Sequence, residues 1–422
     1  MDEYEEVKQR IKHEKEKGSR IDNHKSILDT IATALALDAE FIEIKKQFRK
    51  LKEKNIEEMN DLVQIAKKKM EQLNCKVYIT KTKEEALEIA LKELEGAKLI
   101  CKSKSNAVNE IGLIEKLEEK GVEVVETDLG DRIIQLTNES PSHPVAPASH
   151  LSIPEVAQAF SKYLKIDIES SAIDIVAKSR LKFREKILAS DVGLTGANAI
   201  AANDGAIILL ENEGNISLIT RLPRKHLCIV GINKVLPRIL DAIQTPLIAE
   251  RAVGGPHTAG AYISIIRGPS RTADIQFIEV IGMHGAQEVI VIFIDNWRNK
   301  VKNHPILHEF LYCINCGTCL LPCTALMNTG AAFSSKYGSG VYGIIKSYLM
   351  DGIEAAVKNG LFLCTGCGAC KEMCPSIIDL PGILRFIREE ATKKELTPPK
   401  LREISKNIIE TGSPFAEEKK IK

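Results

Sequence analysis

Cys313, Cys316, Cys319 and Cys323 stand at the spacing Cys-x-x-Cys-x-x-Cys-x-x-x-Cys, and Cys364, Cys367, Cys370 and Cys374 repeat it. Three closely spaced thiolates grip one face of a four-iron four-sulfur cubane, and a fourth, a turn further on, reaches across to a second cluster. The spacing therefore predicts two 4Fe-4S clusters. Cys313, Cys316, Cys319 and Cys374 are assigned to one, and Cys364, Cys367, Cys370 and Cys323 to the other. Electron transfer is the chemistry such centres perform. Zinc is the competing use of clustered thiols, but structural zinc takes its four ligands as two separated pairs. Gly317, Gly366 and Gly368 lie between ligands, where the backbone must come close and aim N–H groups at sulfur. Cys374 precedes Pro375 as the motif usually has it; Cys323 instead sits between Pro322 and Thr324, a local backbone variation.

Fewer residues elsewhere invite chemistry. Lys102-Ser103-Lys104-Ser105 follows one expected strand and precedes a helix, where backbone N–H groups and lysine charge could receive an anion. The competing reading makes Ser105 or Asn106 a helix cap. Glu211-Asn212-Glu213-Gly214-Asn215 is a second candidate, with Glu213 and Asn215 as possible substrate residues, although such a stretch between two strands also suits a hairpin turn. His143, His226 and His257 match no metal spacing. Cys75, Cys101 and Cys228 stand alone and read as small buried hydrophobes. Neither a dinucleotide-binding glycine fingerprint nor a phosphate loop is present, and Gly254-Gly255-Pro256 fits neither.

The elements that must position these residues come in two kinds. Residues 1–70 are dense in Lys and Glu, with Ile27, Leu28, Ile31, Leu35 and Leu37 at near-helical spacing, so helices with a solvated charged face are expected there. From Val77-Tyr78-Ile79 strand and helix alternate: Thr82 and Glu85 form a capping box, residues 111–117 are helical and residues 122–125 are β-branched. Further strands are expected at residues 206–210, 216–220, 227–230, 262–266 and 289–294. Continuous apolar runs of this kind mark strands buried on both faces, so helices should cover one central, parallel sheet. After Trp297 the cysteine-bearing segments are helical, and residues 342–356 make a helix between the two motifs. A helical ferredoxin domain fits that insert better than a compact β-hairpin type. The expected domains are an N-terminal helical region (1–70), an α/β domain (71–299), a helical two-cluster domain (300–395) and a charged tail (396–422), disordered beyond Glu417.

Across 422 residues, 58 Lys+Arg against 57 Asp+Glu leave a net charge of +1, which offers no electrostatic attraction to nucleic acid or an anionic membrane. No run approaches the roughly 18 to 20 apolar residues of a membrane span, and no leader pattern opens the chain. A cytoplasmic location is expected, in which clustered cysteines favour metal ligation over disulfides.

Several stretches together resemble the lactate utilization protein B family. They include Cys101 to Ser105, Ile111-Gly112-Leu113, Val124-Val125-Glu126-Thr127-Asp128-Leu129-Gly130, Ile133-Ile134-Gln135-Leu136 and Pro141-Ser142-His143. Leu194-Thr195-Gly196-Ala197-Asn198, Asn212-Glu213-Gly214-Asn215, Leu222-Pro223-Arg224-Lys225-His226 and the cysteine region extend the likeness over roughly residues 60–390. The resemblance implies an α/β domain with a fold like sugar-phosphate isomerases and CoA transferases, fused to a helical two-cluster ferredoxin. It also implies an electron-carrying subunit in the oxidation of L-lactate to pyruvate, with a cysteine-rich-domain redox subunit and a small lactate-utilization subunit as partners. Ala202-Asn203-Asp204-Gly205-Ala206 departs from the Glu-Thr-Gly-Thr usual in that family. Thr411-Gly412-Ser413-Pro414-Phe415 resembles a heterodisulfide reductase segment, so the electron module of such a reductase is one alternative. A CoA-transferase-like enzyme or binding module with regulatory clusters is another.

Overall fold

The computed structural model describes residues 3–16, 39–139, 141, 147–148, 150–254 and 262–415. The helical spacing at Ile27 to Leu37, His143, His257, Gly255-Pro256 and the tail beyond Glu417 lie outside the described residues. Among the described residues near the N-terminus the helices Glu3–Glu16, Ala39–Glu57 and Met59–Gln72 precede the first strand. In the two larger sheets the strands are β1 (Lys76–Thr80), β2 (Leu99–Lys102), β3 (Glu123–Glu126), β4 (Val192–Thr195), β5 (Ala199–Ala201), β6 (Ala206–Glu211), β7 (Lys225–Gly231), β8 (Val235–Leu236), β9 (Tyr262–Ile266) and β10 (Glu288–Ile294).

Six of these form a wholly parallel sheet in the order β1-β10-β7-β4-β2-β3. Its strands are the continuous apolar runs, and alternate side chains feed two cores. On β10, Val289, Val291 and Phe293 join the larger core, while Ile290, Ile292 and Ile294 join the smaller one under the helices of residues 83–119. This is the period of two of an extended chain, with both faces apolar. Thr82 caps the Lys83–Glu93 helix by accepting the Glu85 N–H at 3.2 Å, and Glu85 accepts the Lys81 N–H at 2.8 Å. At the middle of the sheet Gly193 lies so close under the Asn215–Ile219 helix that a Cβ there would strike the Ile219 carbonyl.

Two sequence expectations are corrected. The strands at residues 206–210 and 262–266 do not join the central sheet but form a second one, β8-β5-β6-β9. There β6 pairs antiparallel with β5 and β9. A connection as short as Ala202-Asn203-Asp204-Gly205 can only reverse the chain, and Gly205 takes the positive φ of 61° that the reversal needs. Residues 216–220 are not a strand either: Asn215–Ile219 is a short helix. Gly214 enters it in the left-handed region, and the Glu211 carboxylate accepts the Ser217 N–H at 2.8 and 3.0 Å.

Beyond Trp297 the chain is helical, with Gly340–Asp351 and Ile353–Lys358 between the cysteine motifs and Leu380–Lys393 after them. The larger core does not stop there. It runs from Ile56 and Met59 through the sheet face to Phe310, Phe333, Ile344 and Ile383.

One buried ionic junction sits beside this core. Glu110, at the end of the Asn106–Glu110 helix, takes two hydrogen bonds from the Arg298 guanidinium, at 2.9 and 3.0 Å, and one from Lys346 Nζ at 2.5 Å. Asn296 Nδ2 adds a fourth at 3.1 Å. Burial pushes the Glu110 carboxyl up, but the charges of Arg298 and Lys346 outweigh it and hold the group well below the usual carboxylate range. Removing one partner of a buried pair leaves an uncompensated charge, so Glu110→Ala is expected to cost about 3–5 kcal/mol in chemical denaturation. Because the folded-state pKa is depressed, this contribution is present above the unfolded value of roughly 4.3 and fades as pH falls below it. Acid titrations of wild type and Glu110→Ala should therefore converge.

Candidate iron–sulfur and α/β sites

The two cysteine motifs are the same backbone written twice. Cys313 and Cys364 have φ/ψ of −65°/127° and −63°/128°. Two residues on, Asn315 and Gly366 are both left-handed, with φ of 61° and 71°. Four residues on, Gly317 and Gly368 are left-handed again, with φ of 81° and 85°. Asparagine tolerates that region better than most side-chain-bearing residues, which explains its use where the second motif has glycine. In each motif the left-handed turn aims an N–H at sulfur: Asn315 N lies 3.4 Å from Cys313 Sγ and Gly366 N lies 3.4 Å from Cys364 Sγ. The Thr318 hydroxyl lies 3.1 Å from Cys316 Sγ. Pro322 and Thr324 leave Cys323 extended like Cys374, and Cys323 then opens the Thr324–Thr329 helix.

The short helix Ala369–Met373 packs against the 3-10 turn Thr318–Leu320, which brings the motifs face to face. The thiols then interleave. Burial pushes Cys374 up to about 12, and Cys316 and Cys313, from the other motif, add to it. Burial likewise raises Cys323, with Cys364 and Cys367 adding to it, while Cys370, at about 12, feels Cys323 before its own motif. Cys319 is raised well above its ordinary value by burial and then by Cys316, Cys313 and Cys374. Thiols such as Cys319, Cys370 and Cys374, which resist ionisation alone, suit a group whose metal supplies the positive charge, since a coordinated thiol is held deprotonated. No three His, Cys, Asp or Glu among the described residues converge closely enough for one metal ion; a cubane is gripped at its corners, by thiolates spread more widely. Cys367 is the exposed thiol of the eight, and Cys370 and Cys374 are buried.

Lysines from elsewhere close over the first motif. The Ala39–Glu57 helix places Phe41 and Phe48 against Ile314 and Cys316. From the same helix Arg49 grips Glu309 at 2.6 and 2.9 Å and stacks 4.0 Å over the Tyr312 ring. The solvated face expected for this charged segment is therefore turned partly inward. Lys52 is 1% exposed and donates to the Asn233 carbonyl at 2.8 Å, while Lys234 donates to the Ala197 carbonyl at 3.0 Å. Burial pulls Lys52 down to about 7 and Lys234 to about 8, and in both the Cys313 sulfur pulls back.

At the carboxyl edge of the parallel sheet a second group assembles, where ligands of open α/β sheets bind. Lys102 ends β2 and is ion-paired with Glu126, its register partner at the end of β3. Lys104 reaches Asp131 at 3.3 Å. Glu213 accepts the Leu129 N–H at 3.2 Å, at the start of the Leu129–Thr137 helix, and Asn215 Nδ2 lies 3.2 Å from Thr127 Oγ1. Lys102, Lys104, Glu213 and Asn215 thus meet. Ser105 does not join them: it caps the Asn106–Glu110 helix, accepting the Val108 N–H at 3.3 Å. Ser103 is buried, with its N–H on the Leu194 carbonyl at 3.0 Å. Sequence reasoning left out Glu126, Thr127, Asp128 and Asp131; the signal was their place just after a β-branched strand. His226 is buried in β7, its Nε2 2.8 Å from Thr195 Oγ1, and burial pulls it down to about 4. Cys75, Cys101 and Cys228 are buried as expected. The divergent segment Ala202 to Ala206 turns against Lys69 of the Met59–Gln72 helix and Leu73, which follows that helix.

A parallel α/β sheet domain carrying a helical dicluster region is the class that these features define. The LUD domain family matches residues 63–294 and the 4Fe-4S dicluster domain family residues 309–378. Lactate utilization protein B of Macrococcus caseolyticus (strain JCSC5402) is 32% identical over 322 residues, 76% of this chain and 65% of that protein. The protein of the same name from Bacillus pumilus (strain SAFR-032) is 32% identical over 75% of this chain and 65% of its own length. That from Bacillus cytotoxicus (strain DSM 22905 / CIP 110041 / 391-98 / NVH 391-98) is 30% identical over 78% and 67%. The chain belongs to the lactate utilization protein B family, and its match spans 65% of the length of the first two relatives. Among solved structures, a DUF162 family protein from Deinococcus radiodurans aligns with 56% of this chain and 98% of its own at 10% identity and a TM-score of 0.32, too distant to carry an argument. Among the described residues no helix is long and apolar enough to cross a membrane.

Burial, and then Asp128, push the Glu213 carboxyl up to about 7, with the Leu129 N–H opposing them. Between pH 4.5 and about 7 the folded chain therefore holds a proton that the unfolded chain releases. That contribution to stability is full below the unfolded value and lost as pH rises through the folded one. Glu213→Gln should flatten the decline in melting temperature across this window; an unchanged decline would contradict the raised pKa.

Proposed function

We propose that this chain is the iron–sulfur electron-transfer subunit of a cytoplasmic complex that oxidises L-lactate to pyruvate. The observation that carries the reading is the interleaving of the motifs, with the Cys374 thiol among Cys313 and Cys316 and the Cys323 thiol among Cys364 and Cys367. On it, Cys313, Cys316, Cys319 and Cys374 hold an inner 4Fe-4S cluster, and Cys364, Cys367, Cys370 and Cys323 hold an outer one. Such centres supply one-electron transfer. The chain's own part is to hold the thiolates, aim the N–H groups of Asn315 and Gly366 at sulfur and exclude water from the inner set.

Oxidation of L-lactate to pyruvate releases two electrons and two protons, and the acceptor of that pair is assigned to a partner. The partners proposed are a cysteine-rich-domain redox subunit and a small lactate-utilization subunit, as the family resemblance implies. The domains proposed are 1–70, 71–299, 300–395 and the tail 396–422.

A second reading is favoured by the convergence of Glu213, Lys102 and Lys104 at the sheet edge. Here the α/β domain handles a small carboxylate or acyl substrate itself, with Glu213 as its base, and the clusters regulate it.

Anaerobic purification separates these readings. L-lactate should bleach the visible absorption of the full chain only when the partner subunits are added. Acyl or CoA chemistry by the isolated chain, untouched by Cys→Ala changes, would replace the first reading with the second. Cys323→Ala should lose the iron and EPR signal of the set centred on Cys364, Cys367 and Cys370. Selective loss of the other signal would refute the crossed ligation.

A further inference from the structure

The interior beside Cys313 holds more positive charge than the chain's own carboxylates offset. Lys52, Lys234, Lys346 and Arg298 gather there around one buried acid, Glu110. Glu110 is already engaged by Arg298 and Lys346, so it has nothing left for the other two. Lys52 and Lys234 make no ion pair among the described residues; each has only a backbone carbonyl. Uncompensated buried ammonium groups are costly, and proteins retain them where an anion answers them.

Their placement is specific. Asn233 links them to the first motif: its carbonyl receives Lys52, its side-chain carbonyl receives Arg298 Nε at 2.8 Å, and its Nδ2 donates at 3.0 Å to the Leu311 carbonyl, two residues before Cys313. The lysines come from three separate parts of the chain: the Ala39–Glu57 helix, the turn after β7 and the Gly340–Asp351 helix. The second motif has a different setting. Its cationic neighbour is Arg388, which donates to the Leu361 and Cys364 carbonyls, and Cys367 is open to water. Any ions and water there screen a charge far more than the packed interior does.

We propose that Lys52 and Lys234 are positioning residues for the redox poise of the inner cluster, raising its reduction potential by stabilising the extra negative charge of its reduced form. This rests on the cluster assignment made above. A thiolate-ligated cluster is anionic and gains charge on each reduction, and net charge and burial are among the terms that set its potential. Ammonium groups in a dry, low-dielectric site favour the more negative state, and an anionic cluster beside them in turn favours their protonation. The inner cluster is then where an electron entering by the outer one comes to rest.

The test is a mediated redox titration of the full-length chain under argon, followed by EPR, with dithionite as reductant. Two midpoints are expected, and the Cys323→Ala chain identifies the inner one as the midpoint that it keeps. Lys52→Met and Lys234→Met should each lower the inner midpoint by at least a tenfold change in the reduction equilibrium, about 59 mV for one electron. The outer midpoint and the iron content should hold. Lys52→Arg and Lys234→Arg, which keep the charge, should restore the potential, and they serve also if a methionine variant fails to fold. An inner midpoint unmoved in iron-replete methionine variants overturns the inference. So does a fall of equal size in the arginine variants, which would mean that packing rather than charge is responsible. Wild-type chain without iron would instead sink the cluster assignment itself.

Discussion

The carboxylate of Glu110 is the point at which the chain's two chemistries are fastened together. It comes from the first part of the α/β region, Arg298 follows the last strand, and Lys346 belongs to the helix between the cysteine motifs. Bidentate contact with Arg298 fixes an orientation as well as a distance. Asn233 extends the junction to the Ala39–Glu57 helix through Lys52 and to the first cysteine loop through Leu311. Because a buried carboxylate satisfied by four donors has one arrangement in which all are met, it specifies how the helical region seats on the sheet. The apolar core that runs from Ile56 to Ala391 supplies the bulk of the attraction, but it is non-directional and would tolerate a shift that the ionic junction does not.

What was legible in the sequence follows from the range of each signal. The eight cysteines announce their own spacing, and the left-handed turns at Gly317, Gly366 and Gly368 are local. The apolar runs on β1, β2, β7 and β10 read directly as strands buried on both faces. The second sheet did not read, because β6 and β9 are as apolar as the central strands and only the tight reversal at Gly205 sets β6 apart. Residues 216–220 misled for a related reason: a short apolar run suits a strand or a buried helical turn, and the choice is made by Glu211 accepting the Ser217 N–H. The α/β site was half visible. Lys102, Lys104, Glu213 and Asn215 were named from the chain, while Asp128 and Asp131 need the neighbouring strand to bring them in. Lys52 was invisible altogether. In a run of Lys, Glu and Arg nothing local tells the one side chain that turns inward from those that stay in water.

Within the cysteine region duplication and asymmetry coexist. The backbone of the two motifs repeats down to individual dihedral angles, yet their surroundings differ. One is covered by the Ala39–Glu57 helix and by cations from distant parts of the chain; the other has Arg388, the Phe362 ring and solvent. An ancestral pair of equal sites can be differentiated in this way without altering a ligand. The distinction lies in what packs on each motif, and so it is carried by residues far away in sequence.

The exposure of Cys367 has a consequence for traffic. From Cys364 to Ala369 the loop offers Thr365, Gly366 and Gly368 and no ionised side chain, while the remaining thiols are half-buried or buried against apolar side chains. The cysteine region thus presents one short, uncharged loop carrying an exposed thiol. A protein exchanging electrons there meets no ionised side chain within the loop, so contact with the loop itself adds little dependence on ionic strength. Whatever electrostatic guidance the encounter uses must come from charges set back from the contact, such as Lys371 and Glu372 on the adjoining helix.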